Sequence, residues 1–347
     1  MSAAAAPPRS QPQADGYGTA TMTFREALRL ALREELARDP RVFVMGEEVG
    51  VFDGAYKVTQ GLLEEFGGDR VRDTPISEEG FVGAGVGAAM LGERPVVEIM
   101  TLNFVLVAMD QIINHAAKIG AMFGGEVRCP LVIRTPNGAG NQLTAQHSQS
   151  FEGWFAGTPG LKVVAPSCPA DAKGLLKAAI RDDDPVLVIE NLTIYKEHGE
   201  VPLDPEFLTP IGLAEVARPG SDVTLVAHGY ATVRALHVAE RLEQTHGVSA
   251  EVVDLRSLRP LDVETVAASV AKTSRAVCIE EGWPSYGVSA ELAARIQRVC
   301  FDDLDAPVER VGMAEVPLPY AKQLETAAMP GEDRIEAAVL ATLGVGA

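Results

Sequence analysis

Residues 161–190 read LKVVAPSCPADAKGLLKAAIRDDDPVLVIE, and their pattern sets the fold class. An apolar strand is expected over 161–165, a helix over 170–181 and a second apolar strand over 186–190. PVLVIE at 185–190 is apolar on both faces, and so is PLVIRT at 130–135. Parallel strands covered by helices on each side have this character. Towards the amino terminus, Thr23 and Glu26 fit a capping box ahead of Phe24, Ala27, Leu28, Ala31 and Leu32 at helical spacing. Asp39-Pro40 stops that helix. A strand follows at 42–45, then a Gly/Ala-rich helix at about 80–91, a strand at 96–100 and helices at 104–119 and near 150–156.

In the other direction, the stretch 195–212 is broken by prolines and glycines and has no periodicity. Alternation then resumes, with strands at 223–228, 250–254, 276–280 and near 308–312. Helices are expected at 231–245, from about Asp262, and at 288–300. The expected architecture is α/β in two domains, each a mostly parallel sheet flanked by helices. The first covers 21–195, a linker covers 196–212, and the second covers 213–347. Residues 1–20, rich in Ala, Pro, Gln and Gly, are expected to form a disordered tail.

Composition narrows the function. Of 347 residues, 47% are hydrophobic, enough for sizeable cores, and 48 acids against 30 Lys and Arg give a net charge of −18. That balance disfavours binding to nucleic acid or to an anionic membrane surface. No run of about 18 apolar residues is present to span a bilayer. Cys129, Cys168, Cys278 and Cys300 form no C-x-x-C pair. They read as reduced thiols, and the protein is expected in the cytoplasm.

Four segments could carry chemistry. In 73-DTPISEEGFVGAGVGAAM-90, Glu78 falls between a short strand and a Gly-rich helix, the edge where α/β sheets collect ligands. Glu78 and Glu79 are equally two acids favouring a helix dipole. Gly83, Gly85 and Ala88 mimic a dinucleotide fingerprint, but the next acid at a strand end, Glu98, is too close for it. Small residues there also suit close helix packing. The long polar loop 136–150, PNGAGNQLTAQHSQS, contains His147, a candidate proton donor or a surface histidine. Asp182, Asp183 and Asp184 could face a cation or simply solvate a turn. His228, ending a strand, is the least settled of the other histidines.

GEEVGVFDGAYKVTQGL, DTPISEEGFVGAGVGAAM, MTLNFVLVAMDQIINHAAK, AQHSQSFEGWF, PGLKVVAP, DAKGLLKAAIRDDDPVLVIE, LRSLRPLD, EEGWPSYGVSAE and VPLPYAK occur in this order. Together they resemble the beta subunits of the thiamine-diphosphate-dependent 2-oxoacid dehydrogenases, most closely the pyruvate (acetyl-transferring) type, from about Thr21 to the end. The resemblance implies a pyrimidine-binding domain followed by a transketolase-type carboxy-terminal domain. It implies that Glu78 holds the aminopyrimidine ring, that Ile76, Met100 and Phe104 line its pocket, and that His147 donates a proton during reductive acylation of a lipoyl group. It also implies a structural potassium ion on main-chain oxygens of Leu131, Ala179, Ile180, Asp182 and Asp184, the last standing where the family often has Asn.

The G-D-G motif that holds magnesium and the diphosphate in complete thiamine enzymes does not occur here. An alpha subunit is therefore expected to hold the magnesium and that end of the cofactor, in an alpha-two beta-two heterotetramer serving a lipoyl-bearing dihydrolipoyl acyltransferase core. A branched-chain 2-oxoacid or acetoin dehydrogenase beta subunit is the alternative within enzymes; a non-catalytic scaffold subunit is the alternative outside them.

Overall fold

The structure is a computed structural model and describes residues 16–344. They divide into two compact units. One gathers residues 16–137 with Phe155–Ile211, and the other gathers Gly138–Trp154 with residues 212–344.

In the first unit six strands lie side by side in the order Lys162–Val164, Val186–Asn191, Val132–Asn137, Arg94–Glu98, Val42–Gly46 and Val71–Asp73, all parallel. The central strands Val132–Asn137 and Val186–Asn191 are buried along their whole length, as their two apolar faces require. Helix Phe24–Arg38 starts at the expected capping box: the Thr23 side chain accepts the Glu26 N–H while the Glu26 carboxylate accepts the Thr23 N–H. Its apolar stripe, Phe24 to Leu36, is buried, and the helix packs against helix Pro169–Arg181. Gly85 explains the small-residue pattern of helix Glu78–Met90. A Cβ there would lie 2.7 Å from Val97 Cγ2 and 3.3 Å from Leu131 Cδ1, so the glycine permits close helix–sheet packing and no dinucleotide turn is formed.

The second unit has strands Glu309–Val311, Ala276–Ile279, Val223–Ala227 and Ala250–Asp254 in parallel, with Glu215–Arg218 antiparallel at the edge. Its core joins Val223, Leu225, Val252, Val277 and Ile279 to Ala235, Leu242, Ile335 and Val339 from helices Tyr230–His246 and Glu332–Thr342. Asp262 caps helix Val263–Thr273 by accepting the Thr265 N–H at 3.0 Å. No helix among the described residues is long and apolar enough to cross a membrane.

Two expectations need correction. Of the tail 1–20, residues 1–15 lie outside the described residues, but Thr19 and Ala20 belong to strand Thr19–Thr23. That strand pairs antiparallel with His198–Pro202, inside the expected linker. Neither strand shows in the sequence because each is short and finds its partner nearly the length of the unit away. By its packing the loop Gly138–Trp154 groups with the second unit. Ala139 is fully buried there in a cluster with Met313, Leu318, Ala328 and Met329. Finally, the single helix expected over 104–119 is a 3-10 turn Leu102–Ala108, a π-helical stretch Gln111–Ala116 and an α-helix Ala117–Met122.

His228 is settled as a core residue. It is 5% exposed, its Nδ1 has no hydrogen-bond partner among the described residues, and burial pushes its pKa down to about 4 against an opposing pull from Asp254. An unfolded chain takes up that proton near pH 6.5. The stability that depends on neutral His228 is therefore complete above about pH 6.5 and is lost as pH falls through about 4, a difference of roughly 3 kcal/mol. Substituting His228→Asn should remove this part of the acid dependence. Urea midpoints of wild type and variant at pH values bracketing that window would show it, and parallel pH curves would count against it.

Candidate functional site

The site forms at the carboxy-terminal edge of the first unit's sheet, where ligands of open α/β sheets gather. Gly46, Asp73 and Glu98 are in register across three neighbouring strands, Val42–Gly46, Val71–Asp73 and Arg94–Glu98. Three buried acids result from that alignment. Glu47 succeeds Gly46 and is 6% exposed; Glu98 ends its own strand; Glu78 opens helix Glu78–Met90 and is 6% exposed. Asp73 steadies the turn after Glu47 by accepting the N–H groups of Gly50 at 2.6 Å and Val51 at 2.9 Å.

Electrostatics tie the acids together. Burial first, then the charges of Glu78 and Glu98, raise the Glu47 pKa. Glu47 Oε1 has no hydrogen-bond partner among the described residues. Glu98 is raised by burial, with Arg134 opposing and Glu190 reinforcing. Arg134 is 1% exposed and lies between Glu98 and Glu190, its Nε 2.7 Å from Glu190 Oε1 and its Nη2 3.3 Å from the Tyr195 hydroxyl. Tyr195 in turn donates to Glu190.

A raised folded pKa favours the protonated native state. The stability linked to protonated Glu47 is present below its unfolded pKa and is lost as pH rises through the folded value. Replacing Glu47→Gln should therefore raise the thermal midpoint at neutral and alkaline pH, with the two curves converging as pH drops towards about 4.5. A thermal scan across that range tests it. A variant less stable than wild type at pH 8 would contradict it.

The other expected residues are spread over both units. Ile76 is 85% exposed, so it is not core, while Met100 and Phe104 are half-buried. His147 lies in the second unit, half-buried, with its main-chain N–H donating to the Thr144 carbonyl at 3.2 Å. A cavity of about 420 Å³ is lined by Gln146 and Gln149 of the same loop with Trp283, Ser285, Glu315 and Val316 among others. The chain thus displays Glu78 and His147 on separate units.

At 179–184, the Leu131 carbonyl accepts the Val186 N–H and the Ala179 carbonyl accepts the Asp182 N–H. The Ile180 and Asp182 carbonyls both accept from Arg94 Nη1 at 2.9 Å. These are hard oxygens at or near a helix carboxy terminus, of the type potassium takes, but the Arg94 guanidinium already presents a cation to two of them. The three Asp side chains face cations of the protein: Asp182 faces Lys162, Asp183 faces Arg94, and Asp184 faces Arg128 and Lys162. Among the described residues no group of three or more His, Cys, Asp or Glu side chains could hold a metal ion.

This donor set fits one end of thiamine diphosphate. A carboxylate at Glu78 and an unpaired Glu47 oxygen suit a pyrimidine ring's nitrogen and amino group. Three clustered acids oppose a diphosphate. In the sequence Glu47 carries only a weak signal, an acid directly after an apolar strand, in the GEEVG that succeeds 42–45.

The family described as "Transketolase, pyrimidine binding domain" matches residues 20–196, and "Transketolase, C-terminal domain" matches 212–335. The mitochondrial pyruvate dehydrogenase E1 component subunit beta-1 of Arabidopsis thaliana is 54% identical over 316 residues, covering 90% of this chain and 87% of the relative. The pyruvate dehydrogenase E1 component subunit beta of Rickettsia conorii is 51% identical over 317 residues, covering 91% and 97%. That of Rhizobium meliloti is 52% identical over 326 residues, covering 94% and 71%. A solved structure titled "Split gene transketolase, inactive beta4 tetramer" superposes with a TM-score of 0.74 at 24% identity, over 94% of this chain and 99% of that one, a likeness of fold. With both transketolase-type domains matched and relatives more than half identical across most of its length, the chain belongs to the family of pyruvate dehydrogenase E1 component beta subunits.

Proposed function

We propose that this chain is the beta half of a pyruvate dehydrogenase and that, with an alpha subunit, it decarboxylates pyruvate and acetylates a lipoyl group. The observation that carries the reading is Glu78, a carboxylate buried at a helix start on the ligand-collecting edge of the sheet, beside a second buried acid. Thiamine diphosphate, when bound, supplies the electron sink that lets a 2-oxoacid lose carbon dioxide. Glu78 would share a proton with the pyrimidine ring nitrogen and so hold the ring in its imino tautomer. Ile76, Met100 and Phe104 would surround the ring; the exposure of Ile76 supports this, since an apolar side chain left open on this chain is available to cover a ligand.

His147 would give a proton to one sulfur of the lipoyl disulfide while the other sulfur takes the acetyl group. The acidity of the Glu78 edge supports a division of labour in which the alpha subunit holds the magnesium and the diphosphate within an alpha-two beta-two heterotetramer. Potassium, on oxygens of Leu131, Ala179, Ile180, Asp182 and Asp184, would tie the end of helix Pro169–Arg181 to the neighbouring strand.

The test is co-expression with candidate alpha subunits, followed by turnover assays with pyruvate, 3-methyl-2-oxobutanoate and acetoin. Pyruvate should be the preferred substrate. Preference for either of the others would move the chain to a different dehydrogenase, and magnesium-dependent tight binding of thiamine diphosphate by the isolated chain would contradict the division of labour.

A further inference from the structure

We propose that Glu325 is the positioning residue for the loop that carries His147. The inference rests on the role given to His147 above. Glu325 lies in helix Lys322–Ala328 and is only 2% exposed. Its Oε1 accepts the main-chain N–H of Gly140 at 3.0 Å and of Gln142 at 3.1 Å, and its Oε2 lies 3.2 Å from the Gln142 nitrogen. A buried carboxylate that receives two backbone donors fixes their spacing, because charge-assisted hydrogen bonds are stronger and shorter than neutral ones.

The backbone from Gly140 to His147 depends on that clamp. Gly140 takes φ +94°, and Gln142 and Thr144 take φ 55° and 64°, left-handed values that side-chain-bearing residues hold only when their surroundings impose them. The His147 N–H then closes a turn on the Thr144 carbonyl. The far end of the loop is fastened separately. Phe151 is 3% exposed, with its ring 4.6 Å from that of Trp154 and 6.4 Å from that of Trp283. A Cβ on Gly153 would come 3.1 Å from the Tyr286 carbonyl oxygen. His147 sits between these two anchorages, and Glu325 is the polar one.

The test is a double-mutant cycle in the holoenzyme assembled with its alpha subunit, using Glu325→Ala, Glu325→Gln, His147→Ala and the Glu325→Ala/His147→Ala pair. Two rates are read: acetylation of a lipoyl acceptor, and decarboxylation coupled to an artificial electron acceptor. The ratio of the first to the second should fall about ten-fold in Glu325→Ala, because a displaced proton donor costs rate without costing assembly. Glu325→Gln, which keeps one acceptor oxygen, should lie between. Amide exchange across 138–150 should quicken in the same order.

In the His147→Ala background, Glu325→Ala should lower the ratio by less than about two-fold more, since a residue acting through another adds nothing once that other is gone. Equal loss of both rates in Glu325→Ala, or full additivity in the pair, would overturn the proposal. If His147→Ala itself leaves the ratio unchanged, the reading of His147 fails and this inference with it. If His147→Ala lowers the ratio while Glu325→Ala does not, only this inference fails. Should Glu325→Ala not assemble, the same cycle is run with Glu325→Gln.

Discussion

Pyruvate turnover by the assembled enzyme falls by about 10²–10⁴-fold when Glu78 is replaced by Gln, the range expected for loss of a positioned acid–base group. Gln keeps the size of the side chain but has no carboxyl group to gain or lose a proton and carries no negative charge. Glu78 is the first residue of its helix. Its favourable interaction with the helix dipole is worth roughly 0.3–1 kcal/mol, so the fold survives the change. Glu47 then faces one charge fewer, because Glu78 is among the causes of its raised pKa. The substitution therefore removes a repulsion as well as an activity. Thermal stability should stay equal or rise while turnover collapses, the opposite signs expected where a site carries electrostatic strain for function. Steady-state turnover, hydrogen exchange at the cofactor's thiazolium carbon and a thermal scan on the same preparation measure all three. Turnover above half that of wild type would remove Glu78 from its assigned role.

Legibility in the sequence tracks the range of the interactions involved. The capping box at Thr23 and Glu26, the stop at Asp39 and the doubly apolar strands at 132–137 and 186–191 are local, and the structure contains them within a residue or two of the expected limits. Strand Thr19–Thr23 and its partner His198–Pro202 are non-local, and a five-residue strand whose ladder is far away leaves no periodic trace. The same holds at the site. Glu78 is marked by a motif, whereas Glu47 stands out chiefly because the register places Gly46 beside both Asp73 and Glu98. The loop bearing His147 reads as part of the first domain by position alone. Its burial against Met329 and its bonds to Glu325 depend on residues almost two hundred positions later. Arg134 shows the limit most plainly, since a lone arginine in PLVIRT gives no hint that two glutamates meet it.

That arginine carries the largest expected effect on stability. Replacing Arg134→Met should destabilise the chain by about 3–5 kcal/mol, the usual result of removing one partner from a buried ion pair. At roughly 2–4 °C per kcal/mol this lowers the thermal midpoint by about 10 °C. Met fills most of the space, so the loss is electrostatic: Glu98, Glu190 and the Tyr195 hydroxyl remain buried at the sheet edge with no cation among them. Arg134→Lys should rescue little, because one ammonium cannot reproduce the guanidinium fork that meets both carboxylates. The pH dependence identifies the cause. Glu98 is already raised by burial with Arg134 holding it down. Without Arg134 its folded pKa rises further, so the variant gains protons on folding and recovers stability as pH falls from about 7 towards its unfolded value near 4.5. A cavity alone would give a loss independent of pH. Adding Glu190→Gln to Arg134→Met should return part of the lost stability at neutral pH, since one of the two stranded charges is then gone, whereas a packing defect would be unaffected or worsened by it.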